Sequence, residues 1–360
     1  MINLAEKYSS KVDEIIKQGA LSDSAVNQEY EFVGAQTVKV YSFGTAEMND
    51  YKATGSNRYG NPEELQDSIQ EMTMSRQRSF TFTIDKTHAI DSPEGVRDAG
   101  KALRRQIDLK IIPEIDAYRF AKMADNAGFK YFTAVSSTTA YSAFTAANAD
   151  IDDAEMPVEG RVAFVTPAFL NALKTDDNFI KASEIAQGML INGQVGEMDG
   201  VKIVKVPSSR MPAGAAFIIT NPIATTSPTK LADYKIHKDP PGLAGNLVEG
   251  LTYYDAFVLN NKKSCIAVNF GALGTLTASM TAAGSGEGVV SVKGNTNGGK
   301  LVYKTASSVT AAALGSDVSG WTELPADGKI AATSGHKIAV AVSVDGKAVA
   351  GSAAVTVAVG

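Results

Sequence analysis

Met72-Thr-Met-Ser-Arg76-Gln-Arg78-Ser-Phe80-Thr-Phe82-Thr-Ile84 is the most regular stretch of the 360-residue chain. Met72, Met74, Arg76, Arg78, Phe80, Phe82 and Ile84 share one face, and Thr73, Ser75, Gln77, Ser79, Thr81 and Thr83 the other, which is the two-residue period of a β-strand. At ~3.3 Å per residue these 13 residues would extend about 40 Å, well beyond the ~17–20 Å of an ordinary strand. A strand of that length is expected to leave the body of its own subunit. Its face is apolar from Phe80 to Ile84 and cationic at Arg76 and Arg78, so the base should sit on a core while the middle meets something polar. An edge hairpin with both arginines turned to water is the plainer alternative. Thr37 to Phe43 is a second strand-like run, separated from Ile69–Asp85 by 25 residues rich in Asn, Gly, Tyr and charge.

On the N-terminal side, Leu4, Tyr8, Val12 and Ile15 fall at helical spacing and Gly19 supplies a stop, which predicts a short amphipathic helix. On the C-terminal side, Ser92-Pro93-Glu94 provides an N-cap, a proline at the first helical position and an acid in the first turn. Val96, Ala99, Leu103, Ile107, Ile111, Ile115 and Tyr118 then step by three or four until Gly128, a helix of some 33 residues and about 50 Å. Pro113 should kink or break it. From Lys130 to Gly245 strand and helix signals alternate: strands over Arg161–Thr166, Val201–Val206 and Ala215–Thr220, helices over Pro167–Leu173 and Ser183–Met189. Lys263–Phe270 reads as one more strand.

Composition changes near Ala272. Residues 271–360 hold 15 of the 32 glycines, no Arg, no Phe and only 11 of the 73 charged residues, which marks a separate domain. Short Val/Thr/Ala-rich runs punctuated by Gly, Asn and Asp predict a small β-sandwich there. Ile338, Val340, Val342 and Val344 alternate with small residues up to Asp345-Gly346, a tight-hairpin pair, and Trp321 is the expected core plug.

Net charge is −5, which excludes a protein whose main task is gripping nucleic acid phosphates. The single Cys265 excludes an intrachain disulfide and a Cys-based zinc site, and it is expected as a small buried hydrophobe. No signal peptide and no run of ~18 apolar residues is present, so secreted and membrane classes are not expected. Gly294-Asn-Thr-Asn-Gly-Gly-Lys300-Leu301 has the glycine and lysine spacing of a phosphate loop, but Leu301 stands where Ser or Thr would hold magnesium and a strand follows, so it reads as a hairpin turn. No Gly-x-Ser-x-Gly or His-Glu-x-x-His occurs. His88, His237 and His336 lie apart from one another, and the acids Asp150, Asp152, Asp153 and Glu155 lack the pattern of a calcium loop. Catalytic, cofactor and metal residues are accordingly expected to be none.

The order of arm, long two-stranded loop, long helix, mixed α/β part and returning strand resembles the major capsid proteins of tailed bacteriophages with the Hong Kong 97 type fold. The resemblance covers about residues 1–270. It is carried by Val38-Lys-Val-Tyr-Ser, Asn57-Arg-Tyr-Gly-Asn-Pro-Glu-Glu-Leu, Gln70-Glu-Met-Thr-Met-Ser with Ser79-Phe-Thr-Phe-Thr-Ile-Asp, Gly100-Lys-Ala-Leu-Arg-Arg-Gln-Ile-Asp, and Leu231-Ala-Asp-Tyr-Lys-Ile-His-Lys-Asp-Pro-Pro-Gly. The tail resembles the immunoglobulin-like modules appended to phage structural proteins.

The resemblance implies an α+β chain with an N-terminal arm (1–36), an extended loop lying over a neighbouring subunit (37–85), a peripheral domain with its spine helix (86–130) and an axial domain (131–245). A return to the peripheral domain (246–270) and an immunoglobulin-like β-sandwich (271–360) complete it. It implies no enzyme but a subunit that assembles with itself into pentamers and hexamers of an icosahedral shell around double-stranded DNA, held non-specifically. Portal and separate scaffold proteins are implied as partners and no membrane; the place is the virion, after assembly in the bacterial cytoplasm. Arg58, Arg76, Arg78, Arg104 and Arg105 are the expected intersubunit contacts, because Arg binds a carboxylate bidentately where Lys does not. The tail should project outward as a decoration, and the shell should assemble without it. The competing class is a phage tail or surface adhesin that binds carbohydrate, for which the tail offers only the aromatics Tyr303 and Trp321.

Overall fold

The computed structural model describes residues 20–30, 32, 36–62, 64–86, 99–176, 196–284 and 286–357. The helices expected over Leu4–Gly19 and Ser183–Met189, and the helix start at Ser92-Pro93-Glu94, lie outside the described residues.

A six-stranded mixed sheet forms the centre, in the order Phe129–Tyr131, Ala267–Asn269, Phe217–Thr220, Val162–Val165, Val201–Lys205, Glu197–Met198. Val162–Val165 and Phe217–Thr220 are buried along their whole length, as their unbroken apolar runs require. Phe164, Ile218 and Val268 pack on one face with Phe120 and Met123 of the long helix. Ala163, Val165, Phe217 and Ile219 point the other way, where the helices Ala140–Asp153 and Pro167–Lys174 bring Phe144, Phe169 and Leu170. Thr166 caps the second of these by accepting the Phe169 N–H, with Pro167 at its first position. The run Lys263–Phe270 is only partly a strand: Asn260–Cys265 is a 3-10 turn and Ala267–Asn269 alone joins the sheet. Asn260 to Ser264 has no apolar residue to place on either buried face.

The overlong strand is two strands. Asp67–Thr73 pairs antiparallel with Thr37–Phe43, from Phe43 opposite Asp67 to Thr37 opposite Thr73. Arg76–Asp85 pairs instead with Gly245–Tyr254, which pairs in turn with Thr229–Lys238. The switch falls at Met74 and Ser75. There the Ser75 N–H and Oγ–H donate to Asp255 Oδ2 at 2.9 and 3.2 Å, and the Met74 N–H reaches Gln36 O. Met72 and Met74 are buried under Phe32 and Leu259, so the alternation of faces passes through the break unchanged. Gly250 lies opposite Phe80, and a Cβ there would meet the Phe80 ring at 2.2 Å.

The long helix runs as Ala99–Gln106, a π turn over Ile107–Ile111, and Ile112–Asp125. Pro113 does not break it. It has no N–H for the Leu109 carbonyl and its ring crowds that carbonyl, and the ladder widens by one residue just ahead of it, with the Ile112 N–H on Ile107 O. Ala99, Leu103, Ile107 and Ile112 lie on the three-stranded sheet against Tyr234, Val248, Phe80, Phe82 and Ile84.

The tail is an all-β unit in which Lys300–Ala306, Lys337–Val344, Lys347–Ser352, Gly274–Gly284, Glu287–Gly294 and Lys329–Ala331 are successive neighbours, with Thr322–Glu323 on one edge. Asp345 and Gly346 take φ of 49° and 77°, as a two-residue hairpin demands. Trp321 is not the core plug. It is half-buried beside a small cluster of Val302, Ala312, Val318, Ala341 and Ala348, because Lys337–Val344 is buried on both faces by small residues that leave no room for an indole between them. Nor is the tail a detached bead: Leu276, Val342, Val344, Val349 and Ala350 share one core with Phe120, Met123, Val268 and Phe270.

Candidate functional site: an exposed hairpin and a charged seam

Seven of the ten large apolar side chains exposed among the described residues sit on the hairpin that begins at Thr37: Tyr41, Phe43, Met48, Tyr51, Tyr59, Leu65 and Ile69. Phe43 is 73% exposed, Tyr59 85% and Met48 99%. Monomeric proteins rarely leave such a contiguous apolar surface in water. The tip is nonetheless built. Tyr51 and Tyr59 meet edge to face at 5.1 Å, the Lys52 N–H donates to Arg58 O, and Asn57 Nδ2 donates to Asn61 Oδ1. Asn57 and Gly60 turn the chain with positive φ of 54° and 91°, and a Cβ on Gly60 would strike the Asn49 side chain at 2.7 Å. At the hairpin's base, Gln70 fixes the exit angle by donating from Nε2 to Val258 O and accepting the Asn260 N–H.

Past the strand switch, the strand Arg76–Asp85 lies against the long helix near its middle. Glu114 accepts from Arg76 Nη2 at 3.0 Å and from Arg78 Nε at 2.6 Å, and Arg76 Nε donates to Tyr254 Oη. The Arg76 guanidinium lies 4.4 Å from the Tyr118 ring centroid. Tyr118 Oη donates to buried Asp255, whose carboxylate also takes the Ala256 N–H and the Ser75 latch. Burial pushes against the charge of Glu114, but the hydrogen bonds from Arg78 and Arg76 outweigh it and hold the carboxyl below the ordinary range. Burial, then the bond to Asp255, pushes the Tyr118 phenol far above its ordinary value, so it stays a donor. A cleft of about 230 Å³ opens beside this seam, between Arg78–Phe80 and the π turn, with Lys110 and Gln106 on its wall.

Further along the same helix, fully buried Asp116 accepts the Leu21 and Ser22 N–H groups, Ser22 Oγ–H and Arg210 Nη1 at 2.8 Å. Arg119 reaches Ser22, Asp23 and Ser227. These ions pin the 3-10 turn Leu21–Ala25 to the body.

The arginines singled out from the sequence therefore have different settings. Arg76 and Arg78 converge on Glu114 of their own chain. Arg58 stands at the hairpin tip with Nε on Gly55 O, Arg104 faces Asp108 at 4.0 Å on the exposed side of the helix, and Arg105 beside it is exposed. Glu114, Asp116 and Asp255 were missed. The first two are lost in a helix with mixed charge, and the third sits in Tyr-Tyr-Asp255-Ala at a strand end where only a buried acid between apolar runs hinted at it. Cys265 is buried with its sulfur 3.3 Å from that of Met156. Among the described residues, no three His, Cys, Asp or Glu gather in a metal-binding arrangement. No helix among them is long and apolar enough to cross a membrane. The phosphate-loop look-alike is a docking turn. Asn295 Nδ2 donates to Ser208 O and Met211 O, Asn297 Nδ2 to Ser209 O, and the Gly299 N–H to Asp125 Oδ1 at 2.7 Å. Lys130 closes the joint on Asp345 at 2.6 Å.

No protein-family model matches the sequence, and no curated protein sequence matches it. Solved structures do match in fold. A structure from Mycobacterium phage Che8 aligns with a TM-score of 0.58 at 18% identity, over 69% of this chain and 90% of that one. The capsid structure of cyanophage P-SCSP1u gives 0.56 at 14%, over 70% and 87%. The mature capsid of bacteriophage PhiM1 gives 0.52 at 11%, over 69% and 86%. The chain thus has a fold found in phage capsids.

Proposed function

We propose that this chain is the major head protein of a tailed bacteriophage, with a Hong Kong 97 type fold. It assembles with itself into the pentamers and hexamers of an icosahedral shell around double-stranded DNA, as part of the virion. One observation carries the reading: a chain with a fold found in solved capsids holds an ordered hairpin tip, studded with exposed aromatic and aliphatic side chains, away from its own body. Such a surface is stable only when a neighbour covers it.

In this reading residues 37–85 are the extended loop, the helix through Asp125 is the spine of the peripheral domain, and the six-stranded sheet belongs to the axial domain, with Ala267–Asn269 at the end of the returning segment 246–270 joining it. Arg58, Arg104 and Arg105 face neighbouring subunits, while Arg76 and Arg78 meet them through the Glu114 seam. Portal and scaffold proteins are the partners of assembly, which takes place in the bacterial cytoplasm. The tail is an immunoglobulin-like decoration on the outer surface. Its neighbour pattern supports the immunoglobulin-like architecture, since Gly274–Gly284, Glu287–Gly294 and Lys329–Ala331 pair in the manner of strands A, B and E, and Lys300–Ala306, Lys337–Val344 and Lys347–Ser352 in that of C, F and G. As an adhesin the tail would need a sugar platform, and Tyr303 and Trp321 are both partly packed against its own clusters.

Negative-stain electron microscopy and sedimentation of the purified chain test the reading. Closed shells or capsomer rings are expected, alone or with a co-expressed scaffold. A compact monomer at high concentration under both conditions would overturn it.

A further inference from the structure

The loop Pro207-Ser-Ser-Arg-Met-Pro-Ala213 stands between the two ends of the chain. Pro207 and Pro212 fix their own φ, and the Arg210 N–H donates back to Pro207 O at 2.9 Å, so the loop has few ways to rearrange. Its backbone is committed to the tail. Ser208 O and Met211 O accept from Asn295 Nδ2 at 3.0 and 2.9 Å, Ser209 O accepts from Asn297 Nδ2 at 3.1 Å, and the Ala213 N–H donates to Asn297 O at 2.8 Å. Between these contacts the Arg210 side chain reaches the long helix and donates from Nη1 to Asp116 Oδ2 at 2.8 Å. Asp116 is fully buried and accepts the Leu21 and Ser22 N–H groups, and among the described residues Arg210 is its ion-pair partner. The turn Leu21–Ala25 has five residues and no side-chain cap, so these bonds hold it more than its own do. Met211 and Ala213 also lie in the core that Ala25 shares with Val342 and Val344 of the tail.

We propose that this loop is a coupling bracket, through which a docked tail seats the N-terminal turn. While the tail's two asparagines occupy its carbonyls, the loop keeps the form in which Arg210 reaches Asp116. With the tail undocked, three loop carbonyls lose their donors and turn to water. Arg210 is drawn off with them, and Asp116 is left as a buried carboxylate without its cation. The coupling ends at Asn27, whose backbone is tied separately to Thr225 O and the Ser227 N–H. It is reciprocal, as linkage between two contacts must be, so a seated turn favours the docked tail by the same factor. The coupling is a property of the single subunit and does not rest on the shell reading; within that reading, the tail sets how the N-terminal arm leaves the body.

Hydrogen exchange of the full chain, followed by mass spectrometry on its peptides, tests the coupling in both directions. Asn295→Ala removes the bonds to Ser208 O and Met211 O and leaves every partner of Asp116 in place. It should speed exchange over Leu21–Ala25 about fivefold or more, with the strand Thr37–Phe43 unchanged as the control. Arg210→Met removes the ion pair on the other side of the loop, and it should speed exchange of the Ala213 and Gly299 amides by a similar factor. An Asn295→Ala chain that keeps the parent rate over Leu21–Ala25 overturns the coupling, whether or not Ala213 and Gly299 exchange faster. So does an Arg210→Met chain in which Leu21–Ala25 loosens and the two tail-joint amides do not. Should Asn295→Ala fail to fold, Asn297→Ala, which removes the one bond to Ser209 O, takes its place with the same two outcomes.

Discussion

At the scale of single residues, the ions decide more than the sequence suggests. Asp116 is fully buried and holds two backbone N–H groups, a hydroxyl and the Arg210 guanidinium, so Asp116→Ala leaves the part-buried Arg210 guanidinium without its carboxylate and two amides without an acceptor. A loss of about 3–5 kcal/mol in urea unfolding is expected, several times that of removing the exposed Lys39–Glu71 pair. Glu114 makes a second prediction. Its folded carboxyl is held below the ordinary value, so its contribution is fully present above about pH 4.3 and is lost as pH falls through the folded value. The thermal midpoint of the parent should therefore drop between pH 5 and pH 3 more steeply than that of Glu114→Gln; parallel curves would show that the seam adds nothing. Neither acid was legible beforehand. A helix with seven basic and six acidic residues between Ser92 and Ala127 gives each charge the same sequence context, and only packing distinguishes the buried from the solvated.

At the scale of elements, the two-residue alternation from Met72 to Ile84 located both strands and their buried face but concealed the boundary between them. Side-chain sidedness depends on the backbone pleat, whereas the partner depends on which neighbour's carbonyls and amides lie alongside, and the latter changes at Asp255. The same limit applies to Pro113. Its cost to a helix was readable, but the form of relief was set by the need to keep Ile107 and Ile112 both on the sheet beneath. The hairpin offers a direct test. Replacing residues 45–65 with Asn-Gly removes mainly exposed side chains, so the subunit's thermal midpoint should move by no more than about 2–4 °C while assembly is abolished. A shortened chain that still forms shells would show that the hairpin is not the clasp.

At the scale of the whole molecule, the tail is joined to the body through a shared core and not by a linker alone. Val342, Val344, Val349 and Ala350 complete a cluster that Phe120, Met123 and Phe270 begin, and the turn Asn295–Gly299 is stitched to Ser208–Met211 and Asp125. Calorimetry of the full chain should therefore show one unfolding transition spanning body and tail, and a chain ending at Ala272 should lose solubility or cooperativity by exposing that cluster. Two well-separated transitions, or a truncated chain of unchanged midpoint, would return the tail to the status of a detachable decoration, as its composition alone implied.

By itself, the sequence determined that residues 37–43 and 69–85 are strand-forming, that a long helix follows them, that an α/β part lies between that helix and residue 270, and that residues 271–360 form an Arg-free all-β tail. Each of these is written in the periodicity or composition of contiguous residues. The tertiary structure alone decided where the long strand changes partner, which acid meets Arg76 and Arg78, and that the tail completes the body's core. Those outcomes depend on residues tens to hundreds of positions apart arriving at one place, such as Glu114 beneath Arg76 and Asp345 beside Lys130. Burial there, and not local pattern, determines which charges pair and which apolar faces find cover.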